Sequence, residues 1–210
     1  MKRILLIGGG GFAKEVDEVA TLCGHEVIGY VGDADTALQR PHLGAIDDIP
    51  QLRDKYDAVF IAFGATDRKK TEKRGEVVAR LAQMGIPSIP LVSPNAVVSR
   101  GALVEDGAFV AHGVVISVDA KIRSHAILNS SAIVGHDAEI GANTTIAPGA
   151  FIGGHAKVGG DSLIGPGALV LEGRKIGQSV IVGLGATVVR DVPPDSTVMP
   201  IRSRIIRAKN

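Results

Sequence analysis

The sequence predicts an α/β N-terminal domain with a small Rossmann-like parallel sheet over residues 1–92. An all-β parallel β-helix follows over residues 93–210. Two patterns predict this. From position 98 to position 188 an aliphatic residue recurs at every sixth position: Val98, Val104, Val110, Ile116, Ile122, Leu128, Val134, Ile140, Ile146, Ile152, Val158, Ile164, Val170, Ile176, Val182, Val188. Most are preceded two positions earlier by alanine, as at Ala108, Ala126, Ala138 and Ala156. Ahead of that repeat, apolar strand-like runs alternate with helical ones.

The N-terminal elements follow in order. Arg3–Ile7 is a short apolar run that reads as a buried strand, ended by Gly8-Gly9-Gly10-Gly11 and followed by a helix over 12–22. A second strand at Glu26–Val31 leads to Asp33 and Asp35. A third strand is expected over 57–63, a helix over 67–84 and a fourth strand over 88–92. Strand, helix, strand repeated twice describes a small parallel sheet with helical cover. Ser93-Pro94 then hands the chain to the repeat.

A period of six suits neither a 3.6-residue helix nor a strand alternating every second residue. Short strands that turn a corner every six residues satisfy it, with the aliphatic and the small side chain pointing inward. Three hexads close one triangular coil of eighteen residues, so positions eighteen apart stack. At about 4.8 Å between stacked strands, the coils form a prism on the order of 25 Å tall.

Composition narrows the function. A formal charge of +1 supplies no field to gather nucleic acid or anionic lipid, and 3% aromatic residues offer few rings for base stacking. Cys23 stands alone within an expected helix, as a structural thiol. The opening apolar run is too short for a signal peptide or a membrane span, so a cytoplasmic protein is expected.

Gly8-x-Gly10-x-x-Ala13, with Gly11 inside it, follows a strand and opens a helix. There a tight turn and a helix N-terminus bring backbone N–H groups to a phosphate, while Asp33 or Asp35 stands where an acid meets a ribose hydroxyl. The same glycines also serve simply to turn a strand into its helix. Fewer than about 95 residues hold barely one and a half mononucleotide units, which argues against a dehydrogenase.

Stacking by eighteen places Val118 below and Gly154 above His136, and Asp119 below and His155 above Asp137. An imidazole beside a free peptide N–H suits acyl transfer: the base takes the nucleophile's proton and the amide steadies the oxyanion. His112 and His125 read as solvated corner residues. Zinc would need three converging histidines, and the spacing of 112, 125, 136 and 155 does not bring them to one edge, so no metal is expected.

The run Asn129-Ser130-Ser131-Ala132-Ile133-Val134-Gly135-His136-Asp137, continued by Ile146-Ala147-Pro148-Gly149-Ala150, resembles a known family. It is similar to the hexapeptide-repeat bacterial sugar acetyltransferases, which include sialic acid O-acetyltransferases and nucleotide-amino-sugar N-acetyltransferases. The likeness extends from the glycine loop to about position 189. The resemblance implies a left-handed coil, a homotrimer, acetyl-CoA in the cleft between neighbouring prisms, and a nucleotide sugar on the N-terminal domain. It assigns His136 as general base, Asp137 as its orienting acid, Asn129 as a substrate-side amide and Gly154 as the oxyanion donor. Gly165, Pro166, Gly183 and Leu184 then fall along the pantetheine arm. Two departures stand out: Thr145 replaces a second histidine, and Met199-Pro200-Ile201-Arg202 replaces a Gly-x-Pro-Ala-Arg ending.

The expected reaction is direct acetyl transfer from acetyl-CoA to the amino group of a nucleotide-linked amino-deoxy sugar. O-acetylation of sialic acid or a related sugar hydroxyl is the alternative, and a non-enzymatic trimeric scaffold the remote third. A nucleotidyltransferase fragment lacks the length and the basic signature. Arg202, Arg204, Arg207 and Lys209 in the tail read as a solvated terminus, or as partners for the 3′-phosphate of coenzyme A.

Overall fold

The computed structural model describes residues 1–34 and 37–200. Its N-terminal part runs β1 (Arg3–Ile7), α1 (Gly11–Leu22), β2 (Glu26–Val31), a 3-10 segment (Ile46–Leu52), β3 (Ala58–Ile61) and α2 (Arg68–Gln83). The strands pair in parallel in the order β2-β1-β3. β1 is central, and its residues 4–7 are all buried because both faces of a parallel sheet are covered. Ile4 and Leu6 pack with Val16, Val19 and Ala20 of α1 and with the β-helix. Leu5 and Ile7 face the other way, onto Ile49 of the 3-10 segment and onto Val77 and Leu81 of α2.

The rest of the chain forms a parallel β-solenoid of three sheets, built from two-residue strands paired in parallel with a register shift of eighteen, as in Ile127↔Thr145 and Ile133↔Phe151. The hexad aliphatics from Val110 to Val188 are buried as the period requires. Thr144 and Ser162, polar where alanine is usual, are also buried. Thr144 Oγ1 donates to Gly159 O at 2.9 Å and Ser162 Oγ to Gly177 O at 3.1 Å, so both hydroxyls are satisfied inside the prism. At the corners one residue per hexad takes the left-handed conformation. Besides glycine these are Asp, Asn, Ser and His, whose short or local polar side chains tolerate it, including Asp137 (φ 57°) and His155 (φ 57°).

The fourth expected strand is shorter than anticipated and belongs elsewhere. β4 (Leu91–Val92) pairs with Phe109–Val110 as the lowest rung of the solenoid, and the N-terminal sheet keeps three strands. Val59 N–H, donating to Pro87 O at 3.0 Å, ties the preceding segment to that sheet, and Ile86 and Ile89 pack with its core residues.

The three prism faces differ in what points outward. The β4 face is covered by the N-terminal domain: Phe109 and Ile127 are buried, and Phe12 and Phe60 meet Phe109 edge-on at ring distances of 5.1 and 6.2 Å. The second face carries Lys121, Glu139, Lys157 and Lys175 outward. The third presents Ile133, Phe151 and Leu169, which are 40, 40 and 46% exposed. Where α2 meets the prism, Arg74 is buried. Its Nη1 donates to His125 O at 2.6 Å and Asn143 Oδ1 at 2.7 Å, and Asn143 Nδ2 returns a bond to Thr71 O at 3.1 Å. Burial pushes the Arg74 guanidinium down to about 10.

Candidate active site

His136 and Asp137 occupy a corner between the apolar and the charged face, just after Ile133–Val134. Asp137 N–H is held by Val118 O at 3.0 Å, and His136 O accepts from His155 N–H at 2.8 Å, so the backbone of this corner is pinned to the coils on both sides. His136 Nδ1 lies 2.9 Å from Asp137 Oδ2. That hydrogen bond is the main cause holding the Asp137 carboxyl below its ordinary value, against a smaller opposing effect of desolvation. An ionised carboxylate on Nδ1 fixes the proton there and leaves the Nε2 lone pair free.

Nε2 points at Gly154. A methyl group built on that glycine would sit 2.7 Å from His136 Nε2, so the ring lies directly over its Cα. Among the described residues Gly154 N–H has no acceptor. The equivalent N–H is free at other corners too. What distinguishes this corner is the imidazole stacked on it. His136, Asp137 and the free Gly154 N–H, which a spacing of eighteen stacks on adjacent coils, share one edge.

The glycine loop forms a second feature. Gly8, Gly10, Gly11 and Asp33 line one cavity of about 470 Å³. Gly8 has φ +94°, and a side chain there would also press on Phe63, so its turn requires glycine. α1 has Gly10 as its N-cap residue and no side-chain cap, and its first residues Gly11 and Phe12 line the cavity. Asp35 lies outside the described residues, as do Arg202, Arg204, Arg207 and Lys209 of the tail. Lys70 and Lys73 of α2 also line the cavity, and sequence reading missed them. Their i, i+3 spacing at the start of a helix was visible, but only the strand order β2-β1-β3 brings α2 beside the loop.

A second cavity of about 430 Å³ separates the N-terminal domain from the prism. It is lined by Asn129, Thr145, Pro148 and Pro166 on one side and by Phe12 and Gly64–Thr66 on the other. Phe12, Gly64 and Thr66 line both cavities, which are therefore adjacent. Thr145 Oγ1 is buried here without a partner.

The remaining expected residues are not brought to His136. Asn129, Gly165, Pro166, Gly183 and Leu184 occupy the corner on the other side of the apolar face, one prism edge away. Gly165 has a packing reason of its own, since a Cβ there would meet Val182 O at 2.7 Å. Leu184 is 68% exposed.

His112 and His125 depart from the solvated corners expected of them. His112 Nδ1 meets Ser93 Oγ at 2.6 Å and its Nε2 faces Glu18 of α1 at 3.8 Å. His125 is largely buried beside Arg74. Burial first, then the arginine charge, push its imidazole down to about 4. His155 stands edge-on to His136 with ring centroids 4.8 Å apart. Contrary to the expectation of scattered histidines, 136 and 155 meet at one edge, because a spacing of nineteen puts them on adjacent coils. Cys23 donates to Val92 O at 3.1 Å, and burial raises its thiol. No helix among the described residues is long and apolar enough to cross a membrane.

A hexad prism that sets an imidazole over a free peptide N–H, joined to a domain with a glycine-loop cavity, has the plan of an acyltransferase. Comparison with known proteins agrees. Residues 3–74 match the PglD N-terminal domain model, and residues 119–154 match the bacterial transferase hexapeptide (six repeats). A perosamine N-acetyltransferase from Caulobacter crescentus was solved with CoA and GDP-perosamine as a histidine-to-asparagine variant. It is 34% identical over 92% of this chain and 91% of its own, with a TM-score of 0.86. The acetyltransferase domain of PglB from Neisseria gonorrhoeae, in complex with acetyl coenzyme A, is 28% identical over 93% and 94%, with a TM-score of 0.85. WeeI from Acinetobacter baumannii is 25% identical over 92% and 94%, with a TM-score of 0.75. Curated protein sequences give no significant match. The chain belongs to the bacterial sugar acetyltransferases with hexapeptide repeats, and it is an acyltransferase.

Proposed function

We propose that the protein transfers the acetyl group of acetyl-CoA to the amino group of a nucleotide-linked amino-deoxy sugar, with His136 as general base. The observation that carries this is His136 Nε2 lying over Gly154 while Nδ1 is held by Asp137. The sugar nitrogen attacks the thioester carbonyl carbon. His136 Nε2 accepts the proton from that nitrogen, and Gly154 N–H stabilises the oxyanion. The C–S bond then breaks, and the imidazolium returns a proton to the departing thiolate. No covalent enzyme intermediate is needed.

The glycine-loop cavity supports the nucleotide half of this reading. Its capless helix start and two lysines suit a diphosphate, and the adjacent interdomain cavity lies between it and the prism. The N-acetyltransferase named above, solved with CoA and GDP-perosamine, favours an amine acceptor.

The separation of His136 from Asn129, Gly165, Pro166, Gly183 and Leu184 supports an assembly in which neighbouring prisms complete each site, and the family resemblance makes it a homotrimer of left-handed coils. The exposed Ile133, Phe151 and Leu169 lie on the face between the two edges. An apolar face of that kind is suited to burial against a second copy. Acetyl-CoA would then run along one copy's glycine corner to reach its neighbour's imidazole. The enzyme would work in the cytoplasm.

The test is a panel of nucleotide sugars bearing either a free amine or only hydroxyls, incubated with acetyl-CoA and read by mass. Acetylation of amino sugars alone is expected. Acetylation confined to hydroxyl acceptors would refute the N-acetyl assignment.

A further inference from the structure

The edge that carries His136 and Asp137 has a third member that acetyl transfer does not use. His155 Nδ1 lies 3.8 Å from Asp137 Oδ2, the same oxygen that meets His136 Nδ1 at 2.9 Å. One ligand atom from each of the three residues falls within 4.8 Å of the others. Ligand atoms bound tetrahedrally at about 2.0–2.1 Å stand about 3.3 Å apart. The two measured separations bracket that value, and the third closes by rotation of side chains that are 55, 48 and 57% exposed for His136, Asp137 and His155.

The corner backbone is already fixed for this arrangement. His155 and Asp137 are both left-handed corner residues, and His155 N–H is bonded to His136 O. Two imidazoles and one carboxylate suit Zn²⁺, Co²⁺ and Cu²⁺, whereas Mg²⁺ and Ca²⁺ take oxygen ligands.

We propose that His136, Asp137 and His155 form an inhibitory site for a late first-row divalent cation, zinc above all, with the fourth position left to water. The metal-binding half stands on these three side chains alone. The inhibitory half rests on His136 being the base. A cation on His136 Nδ1 occupies that lone pair, and the neutral ring then carries its proton on Nε2, the nitrogen over Gly154. No lone pair is left to accept a proton from the sugar amine. The ion also withdraws Asp137 from its orienting role. Inhibition would therefore lower kcat without competition from nucleotide sugar.

The full chain, stripped with a chelator, would be titrated with Co²⁺ and followed by its visible absorption, then with Zn²⁺ by calorimetry and by displacement of cobalt. Expected are one ion per chain, the intense bands of a tetrahedral imidazole site, and zinc inhibition reversed by chelator. Asparagine tolerates the left-handed corner, so His155→Asn should fold, keep its turnover in chelator and bind zinc about 100-fold more weakly, with inhibition shifted in step. His112→Asn should bind zinc as the wild type does. Absence of stoichiometric binding, or equal affinity in His155→Asn, would overturn the site. Tight binding lost in His155→Asn but without effect on wild-type turnover would overturn inhibition and point to a base other than His136.

Discussion

A methyl group at Gly154 is the smallest change that separates the base from its oxyanion donor. The added Cβ would stand 2.7 Å from His136 Nε2, 2.9 Å from Cε1 and 3.1 Å from Cδ2, where ordinary contact begins at 3.4 Å. The ring must therefore retreat by about 0.7 Å, the difference between 3.4 and 2.7 Å, and turn off its line to the peptide nitrogen. Gly154 is not among the left-handed residues, so alanine fits its backbone, and the clash is with a half-exposed side chain that can move. Fold and melting temperature should change little. A displacement approaching 1 Å costs about 10²-fold in rate, and loss of a general base about 10²–10⁴-fold. Gly154→Ala should thus lower kcat by about 10²-fold or more, measured by release of the coenzyme A thiol with an amino-sugar acceptor. A kcat within about twofold of wild type, with the melting curve unchanged, would refute the pairing.

Three further outcomes follow from burial and charge. His125 holds its folded pKa at about 4 against an ordinary 6.5, so the unfolded chain takes up the proton first as pH falls. Its neutral burial therefore costs nothing above about pH 6.5 and removes up to about 3 kcal/mol of stability on the way to pH 4, less for the part of the ring that water reaches. Thermal melts of His125→Asn should show a flatter acid limb, and identical slopes would contradict the burial. Arg74→Ala strands His125 O and Asn143 Oδ1 and opens a cavity, so denaturant titration should show a loss of about 3–5 kcal/mol, while Arg74→Met, which keeps the volume, should lose distinctly less. Phe151→Glu charges the exposed apolar face and should shift light scattering from trimer to monomer with loss of turnover; an intact trimer would contradict the assigned interface.

The hexads made the prism legible because each coil repeats the same demand: one aliphatic and one small residue inward at every corner-to-corner step. The same columns placed His136 under Gly154 before any coordinates. They also implied the meeting of His155 with Asp137, a grouping that histidine spacing alone does not reveal because its third member is a carboxylate. Val92 lies six positions before Val98, so the phase of the repeat already included it; its apolar neighbours made it look like one more strand of the first sheet. Lys70 and Lys73 could not be placed without the strand order, which depends on tertiary pairing rather than local pattern. The same count by eighteen puts Asn129, Gly165 and Gly183 in one column and His136 in another, one edge away, whereas the resemblance described only a cleft shared between chains.

The central claim is that His136 accepts the proton of the attacking amine. Steady-state turnover of His136→Ala, with assembly confirmed by light scattering, tests it most directly. The account predicts an intact oligomer whose kcat falls by about 10²–10⁴-fold. A variant that assembles and turns over at the wild-type rate would contradict it.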